Sequence, residues 1–180
     1  LDIIEAKSLA EAAEQSRDFS AKIGQYSIGL SSGTSGFRGM HIVSEAEQAA
    51  WAGFMLARGL GSSIFKKHRI GLVLRANSNT YESIGSSRIK FLFYDLIKPI
   101  DELHQSILQD NLDMLICPPS ALSYFVDMDS KIRVKRLVSA AEVLEETDRQ
   151  KIESHFGLTL HQFYSSTEGE IGATCALGKL

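Results

Sequence analysis

The stretch from Ile89 to Cys117, IKFLFYDLIKPIDELHQSILQDNLDMLIC, decides the fold. Its two ends, Ile89–Tyr94 and Met114–Cys117, are short apolar runs of the kind that form buried strands. Between them, Pro99 stands at the start of a helical segment that reaches Gln109, because a proline in the first turn of a helix loses no hydrogen bond. The stretch therefore predicts two strands joined by a helix, which is the unit of a parallel sheet.

The same alternation continues on both sides of this stretch. It predicts strands at Ile70–Leu74, Val134–Val138 and Thr159–Phe163, and helices over residues 118–126 and 147–156. Nearer the amino end, a serine followed three residues later by a glutamate is a capping box, and it predicts helices that begin at Ser8 and Ser44. The fold class is therefore α/β, a mostly parallel sheet with flanking helices.

Length, charge and cysteine content exclude several classes of protein. The chain has 180 residues, which is the length of one domain, and a net charge of −3, which provides no basic field for nucleic acid. No run approaches the roughly 20 apolar residues that cross a membrane. Two cysteines are too few for a disulfide framework, so we expect a protein of the reducing cytoplasm.

The segment Ser31–Gly39, SSGTSGFRG, has the composition of an anion-binding loop. Its glycines let backbone amides approach an anion, its hydroxyls add donors, and Arg38 adds a planar cation that matches phosphate. The loop lies between two predicted extended segments, Ile28–Leu30 and Met40–Val43. It lacks the G-x-x-x-x-G-K-[ST] spacing of a P-loop. Composition alone leaves a phosphate loop and an ordinary solvated hairpin equally open.

Three motifs, in this order, resemble those of the adenylate-forming enzymes, the superfamily of acyl-CoA synthetases, peptide-synthetase adenylation domains and luciferases. They are the loop just described, the small-residue segment Ser139–Glu142, and Tyr164–Glu168, YSSTE, each at the end of a predicted strand. The most similar branch contains phenylacetate–coenzyme A ligases, CapK-type capsule-biosynthesis proteins and deazaflavin coenzyme F synthetases. The similarity runs from about Ile28 to Cys175 and includes RANSNTYESIGSSRIKFLFYD and PPSAL.

The resemblance implies ATP-dependent adenylation of a carboxylic acid, possibly an aryl acid, with Mg²⁺ as cofactor and coenzyme A or a carrier-protein thiol as the acyl acceptor. It implies that Thr167 contacts the α-phosphate, that Glu168 holds Mg²⁺, and that Arg38 takes the place of the family's loop lysine. The residues that it implies for ATP and AMP binding are Ser31, Ser32, Gly33, Thr34, Ser35, Gly36, Ala140, Ala141, Glu142 and Tyr164.

The chain departs from the family pattern in two ways. Phe37-Arg38-Gly39 stands where the family loop ends in Pro-Lys-Gly, and it is one residue shorter. The family also continues beyond the YSSTE motif to a ribose-binding aspartate and a mobile C-terminal domain with a catalytic lysine, whereas this chain stops 12 residues after Glu168. We expect a single truncated AMP-binding domain, residues 1–180, that does not turn over unaided. The alternative is a non-catalytic nucleotide-binding or scaffold domain of the same fold.

Two further groups of residues have a chemical and a structural interpretation. Cys175 and His161 flank the YSSTE motif and leave a structural zinc site open. Zinc takes about four ligands and only two are candidates, so a buried thiol and a surface histidine are favoured. An apolar stripe on the helix after Ser44 comprises Trp51, Phe54, Met55 and Leu56, for which core packing is favoured over an acyl pocket. Apolar surface left uncovered by truncation leaves a homodimer open.

Overall fold

The computed structural model describes residues 2–20, 22–31, 38–75, 87–166, 169–175 and 177–179. The helices and strands in these ranges are α1 (Ile3–Ser16), β1 (Lys22–Ile23), β2 (Tyr26–Leu30), β3 (Met40–Ser44), α2 (Glu45–Leu60), β4 (His68–Leu74), β5 (Ile89–Asp95), α3 (Ile100–Gln109), β6 (Met114–Cys117), α4 (Pro119–Asp127), β7 (Arg136–Ser139), α5 (Glu146–Phe156), β8 (Leu160–Ser166) and β9 (Gly169–Ala173). None of these helices combines the length and the apolar composition needed to cross a bilayer.

The larger sheet has the strand order β5-β4-β6-β7-β8-β9 within the described ranges. Its first five strands run parallel, and β9 pairs antiparallel with β8. The pairing of β4 with β5 extends from His68 opposite Ile89 to Leu74 opposite Asp95. This topology confirms the predicted α/β fold with a mostly parallel sheet, and it places the carboxyl ends of five strands along one edge.

A smaller antiparallel sheet, with the order β1-β2-β3, precedes the larger one in the chain. Strands β2 and β3 pair over the whole length of both, so the segment Ser31–Gly39 connects the two strands of a β-hairpin. Helix α1 covers this sheet, with Ala6 and Ala10 packed against Ile28. The sequence analysis left a hairpin between the two extended segments open as one interpretation, and the pairing of β2 with β3 agrees with it. The position of α1 was not predicted.

The two faces of the larger sheet are packed against different helices. Because successive side chains of a strand point to opposite faces, Leu72 and Val73 belong to different cores. Val73 shares its core with Phe125 of α4 and Ile152 of α5, so one face is covered by the helices between the parallel strands. Leu72 shares its core with Leu60 at the end of α2. The second face is therefore covered by the helix that follows the small sheet.

One of the two predicted capping boxes is confirmed and the other is wrong. At Ser44 both hydrogen bonds of the box are present, and the N–H of Ser44 donates to the Glu47 carboxylate at 2.8 Å. Ser8, in contrast, lies inside α1, which begins at Ile3. The helix begins earlier because the Asp2 carboxylate accepts from the N–H of Ile4 at 2.9 Å and satisfies a free amide of the first turn.

Two strand predictions near the carboxyl end also need correction. The strand predicted at Val134–Val138 begins later, at Arg136, because the chain bends at Lys135, where the N–H groups of Lys135 and Arg136 both donate to the Asp113 carbonyl. Strand β9 was not predicted at all. Its two glycines give it little intrinsic preference for a strand.

We expect Phe125→Ala to lower the free energy of unfolding by about 3–5 kcal/mol, because Phe125 is fully buried and its removal leaves a cavity. Tyr124→Ala is the matched control on the same helix. Tyr124 is 43% exposed, and its loss should change the free energy of unfolding by about 0.5 kcal/mol. Urea unfolding followed by circular dichroism measures both. Equal losses in the two variants would contradict the packing of α4 described above.

Candidate functional site

The carboxyl ends of the parallel strands lie at one edge of the larger sheet, where open α/β sheets bind their ligands. The register aligns Leu74 at the end of β4 with Asp95 at the end of β5, and Cys117 at the end of β6 with Ser139 at the end of β7. The polar groups that follow these residues therefore share one side of the molecule. This edge, called the carboxyl edge below, is the candidate site.

The segment predicted to flank the adenine, Ala140–Glu142, follows β7 directly and lies at the carboxyl edge. The N–H of Ala140 donates to the Cys117 carbonyl at 3.3 Å. Ala141 has a φ of 69°, a conformation that is unusual for a residue other than glycine and that turns the chain away from the strand. The Glu142 carboxylate accepts from the N–H of Ser120 at 3.2 Å. Glu142 thus caps the first turn of α4, where a negative charge is favourable.

The base of the serine- and glycine-rich loop is closed by hydrogen bonds within its described residues. The N–H of Ser31 donates to the Gly39 carbonyl, and the N–H of Gly39 donates to the Ser31 hydroxyl, each at 2.8 Å. The Arg38 Nε also donates to the Ser31 carbonyl at 2.9 Å. The predicted phosphate ligands Ser32, Gly33, Thr34, Ser35 and Gly36 lie outside the described residues.

Arg38 forms a two-pronged ion pair with Glu14 of α1. Its Nη1 donates to Glu14 Oε2 at 2.6 Å, and its Nη2 donates to Oε1. This hydrogen bonding is the largest effect on the pKa of the Glu14 carboxyl and lowers it. Burial opposes it, and the charges of Arg38, Arg17 and Arg75 each add a smaller lowering effect. The cation predicted to meet phosphate therefore already has a carboxylate partner, which the sequence analysis missed.

A second arginine ties α1 to the carboxyl edge. Arg17 follows the last residue of α1 and has a φ of 58°. Its guanidinium donates to both oxygens of Asp95, at 2.9 and 2.7 Å, and to the carbonyl of Arg75. Asp95 ends β5 and Arg75 follows β4. Helix α1 thus connects the base of the hairpin loop to the ends of two strands of the larger sheet.

The third motif lies where β8 turns into β9. Tyr164 is in β8, opposite Gly172 of β9, and is 50% exposed. Thr167 and Glu168, which the resemblance assigns to the α-phosphate and Mg²⁺, form the connection between the two strands and lie outside the described residues. Strand β8 runs three residues beyond the predicted end at Phe163, so Tyr164 lies within the strand and not after it.

His161 and Cys175, the two residues considered for zinc, are neighbours in the structure. Burial lowers the pKa of His161, whose Nδ1 lies 3.3 Å from the Thr174 hydroxyl and which also contacts the backbone of Cys175. In the part of the chain that the structure describes, no group of three or more His, Cys, Asp or Glu residues is placed to hold a metal ion. The favoured interpretation of a buried thiol is wrong for Cys175, which is exposed in a turn after β9.

A cavity of about 180 Å³ lies between α2 and the larger sheet. Ile70 and Met114 line it at the starts of their strands, and Leu74, Ala140 and Ala141 line it at the carboxyl edge. Its wall consists of apolar side chains and glycine. We call it the α2 cavity.

The apolar stripe predicted on α2 is divided between this cavity and the surface. Met55 and Leu56 pack against the core, as predicted, but they and Trp51 also line the α2 cavity. Phe54 is 36% exposed and does not line it. The interpretation as core packing is therefore incomplete. A helical stripe indicates which side chains face a sheet, but it does not indicate whether they fill the space there.

No protein-family model matches the sequence, and no curated protein is similar to it in sequence. Solved structures, however, are similar to it in fold. The amide bond synthetase McbA from Marinactinospora thermotolerans superposes with a TM-score of 0.61 at 12% identity, over 82% of this chain and 31% of that chain. An open conformation of 2-hydroxyisobutyryl-CoA ligase, in complex with its acyl adenylate and CoA, gives a TM-score of 0.61 at 14% identity, over 90% and 39%.

The anthranilate CoA ligase AuaEII, in complex with anthranoyl-AMP, also gives a TM-score of 0.61, at 15% identity, over 87% of this chain and 33% of that one. The fold is that of the adenylate-forming ligases. This chain spans about a third of the length of these structures. At such identities the likeness shows the fold alone, so residue roles and activity belong to the proposal below.

The two thiols should differ sharply in reactivity. Burial raises the pKa of Cys117 well above its usual value, whereas the backbone N–H groups of Leu177 and Lys179 lower the pKa of exposed Cys175. We expect a thiol reagent to modify Cys175 in the native protein, with a pH midpoint below that of a free cysteine, because the thiolate is the reactive form. Cys117 should react only in denaturant.

Cys175→Ser is the control for this assignment, since it should leave no rapidly reacting thiol in the folded protein. Rapid native-state modification that persists in Cys175→Ser would mean that Cys117 is accessible. That result would contradict the burial of β6 at the centre of the sheet.

Proposed function

We propose that this chain is the nucleotide-binding part of an adenylate-forming ligase that activates a carboxylic acid with ATP. The observation that carries the proposal is the position of the three motifs. On the fold of the adenylate-forming ligases, the base of the hairpin loop follows β2, Ala140–Glu142 follows β7, and Tyr164 lies in β8 two residues before its end. The loop belongs to the smaller sheet, but Glu14 of α1 pairs with Arg38 and Arg17 pairs with Asp95, so helix α1 attaches the base of the loop to the edge that carries the other two motifs.

In the proposed reaction, an oxygen of the carboxylate attacks the α-phosphorus of ATP while the bond to the bridging oxygen of pyrophosphate breaks. The products are an acyl adenylate and pyrophosphate. No proton has to be removed from an ionised acid, so the protein must chiefly align the reactants and neutralise charge. Donors from residues 32–36 hold the β- and γ-phosphates, and Thr167 contacts the α-phosphate. Tyr164 and the backbone of Ala140–Glu142 flank the adenine.

The carboxylate of Glu168 suits a magnesium ion, because Mg²⁺ prefers hard oxygen ligands and binds few protein carboxylates. Glu168 follows Thr167 directly in the sequence, so two consecutive residues supply both the α-phosphate contact and the metal ligand. When bound, Mg²⁺ neutralises part of the phosphate charge. The carboxylate of Glu142 is engaged with the first turn of α4 and is not assigned to the metal.

The acyl acceptor is proposed to be the thiol of coenzyme A or of a carrier protein. Two structurally similar proteins, 2-hydroxyisobutyryl-CoA ligase and anthranilate CoA ligase, are named for such an acceptor and contain acyl adenylates. Since this chain spans about a third of the length of these proteins, we propose that complete turnover requires more chain than these 180 residues.

A second candidate function is a nucleotide-binding domain without catalysis. It is favoured by the ion pair between Arg38 and Glu14, which occupies the cation that the reaction needs. In a working ligase the phosphates must displace Glu14 or share Arg38 with it. In a scaffold domain the pair would simply fasten α1 to the hairpin.

ATP–pyrophosphate exchange with a panel of aryl and aliphatic acids separates the two candidates. We expect acid-dependent exchange in the longest natural form that contains this chain, and none in the 180 residues alone. Glu168→Ala should lower exchange at least about 100-fold, since it removes charge neutralisation in the transition state. Glu102→Ala, at an exposed position of α3, is the control. ATP binding without any exchange in the longest form would favour the scaffold domain instead.

Glu14→Gln should tighten the binding of ATP up to about fivefold at pH 7, because Arg38 no longer has to leave a carboxylate, and an exposed ion pair is worth at most about 1 kcal/mol. The pKa of Glu14 is lowered, so the pair is intact above the usual pKa of a glutamate and is lost as the pH falls through the lowered value. Wild type and variant should therefore converge in acid.

Isothermal titration at several pH values measures this difference. Glu11→Gln, one turn earlier on the same helix, is the matched control and should leave ATP binding close to that of the wild type. Weaker ATP binding by Glu14→Gln would mean that Glu14 positions Arg38 instead of competing with the nucleotide for it.

A further inference from the structure

The amino ends of the parallel strands form the edge of the larger sheet that lies opposite the carboxyl edge. Four segments meet there, residues 66–69, 88–90, 110–113 and 129–136, and each leads into or begins one of the strands β4, β5, β6 and β7. Backbone hydrogen bonds of 2.8 Å join neighbouring segments, from the N–H of one residue to the carbonyl of the other: His68 to Arg88, Asp113 to Arg69 and Lys135 to Asp113. We call the surface formed by these four segments the amino edge.

Positive charge is concentrated at the amino edge. Its four segments contain nine of the 19 lysine and arginine residues of the chain and three of its 22 acidic residues. Nine cations against three carboxylates leave an excess of six positive charges here, in a chain whose net charge is −3. The rest of the chain is therefore strongly negative. Such a separation of charge would attract and orient an acidic partner, although the net charge alone gives no sign of it.

Most cations of the amino edge face solvent. Seven of the nine have exposed side chains. Arg133 makes no hydrogen bond or ion pair with any described residue. The side chains of Lys131 and Lys135 remain 74% and 83% exposed, although they pair with Asp129 and Asp113. Exposed pairs of this kind are weak, so the carboxylates of a partner can replace them.

A cleft of about 170 Å³ lies in the amino edge, between the end of α3 and residues 131–134. Its apolar lining residues are Ile107, Leu108, Leu112, Ile132 and Val134. Lys131, Arg133 and Asn111 line it as well, so the cleft combines apolar walls with two cations. For comparison, an apolar protein cavity of about 150 Å³ binds benzene. The cleft therefore has room for one side chain of the size of leucine or phenylalanine.

The extent and shape of this surface favour a polypeptide as its partner. The cations extend across the spacing of four strands, about 14 Å, which is wider than one small anion. An acidic segment can spread its carboxylates over this distance and place one apolar side chain in the cleft. Single-stranded nucleic acid is held instead by stacking of bases on aromatic rings, and no aromatic side chain of the described residues lines the cleft. Phe65, 77% exposed before Lys66, suits a bilayer, so vesicles are included in the test.

We propose that the amino edge is a docking surface for an acidic segment of a partner protein. Lys131 and Arg133 pair with its carboxylates, and the cleft beside them holds one apolar side chain of the segment. Strand β4 has seven residues, so its two ends are about 20 Å apart. The partner therefore binds on the side of the sheet opposite the proposed nucleotide site, and this inference does not depend on the proposed function.

Fluorescence anisotropy with two labelled peptides of equal length tests the inference. One peptide consists of glutamate, and the other has a single leucine at its centre. We expect the longest natural form that contains this chain to bind both with saturation. It should bind the leucine peptide at least about threefold more tightly, because burial of an apolar side chain is favourable. Raising the salt concentration from about 0.01 to 0.1 M should weaken both at least about tenfold, because the screening length falls from about 30 to 10 Å.

Arg133→Glu should weaken the binding of both peptides at least about tenfold, because it replaces attraction by like-charge repulsion. Lys98→Glu is the matched control. It makes the same change of charge at an exposed position beyond the carboxyl end of β5. Both affinities should stay within about twofold of the wild type, because charges farther apart than the screening length interact weakly.

Leu108→Ala tests the cleft separately. Leu108 is 37% exposed, so its loss should not unfold the chain, and circular dichroism verifies this. The variant should remove the preference for the leucine peptide and leave the affinity for the glutamate peptide unchanged. Ile97→Ala, at a residue that is 61% exposed and follows β5, is its control and should retain the preference.

Several results would overturn the inference. They are no saturable binding of either peptide, equal effects of Arg133→Glu and Lys98→Glu, or a preference for leucine that survives in Leu108→Ala. Vesicles containing phosphatidylserine and polyuridylate are measured with the same variants. Tighter binding of either one, lost in Arg133→Glu, would assign the surface to a bilayer or to RNA instead. Self-association of the wild type that Arg133→Glu abolishes would identify a second copy as the partner, and would likewise overturn the inference.

Discussion

Two arginine–carboxylate pairs hold the small sheet and the large sheet in one arrangement. Arg38 binds Glu14 and attaches the hairpin to α1, and Arg17 binds Asp95 and attaches α1 to the larger sheet. A two-pronged pair between a planar guanidinium and a carboxylate fixes orientation as well as distance. The base of the serine- and glycine-rich loop therefore has a defined position relative to the strand ends, although it belongs to a different sheet. The proposed phosphate and adenine contacts depend on this arrangement.

Sequence reasoning succeeded where the partners of a residue lie nearby in the chain. The Ser44 capping box needs only the glutamate three residues later, and the strands of the parallel sheet are local apolar runs. The placement of Ala140 directly after β7 follows from those runs, whereas Tyr164, predicted to follow a strand, lies within β8. Sequence reasoning failed where the partner of a residue is distant in the chain. Nothing in the sequence around Arg38 indicates that it pairs with Glu14, which lies 24 residues earlier. The pairing of β9 was missed because its sequence has little strand preference.

The α2 cavity illustrates a different limit of pattern reasoning. Helical and strand periodicities indicate which side chains face each other across a layer. They contain no information on the distance between the layers, which depends on the volumes of all the side chains in contact. Gly59 and Ala52 are small residues on the face of α2 that meets the sheet, and both line the cavity. Small residues at an interface allow close approach or leave space, and only the structure distinguishes the two.

Arg17 has a left-handed backbone conformation, with a φ of 58°, at the position after α1 where many helices have a glycine. A glycine there would adopt this conformation without steric cost. It would also remove the guanidinium that reaches Asp95 and the Arg75 carbonyl. Local backbone preference and long-range attachment thus oppose each other at a single residue. The strained backbone at the end of α1 is therefore the cost of keeping an arginine there. The contacts of its side chain attach α1 firmly to the carboxyl edge of the larger sheet.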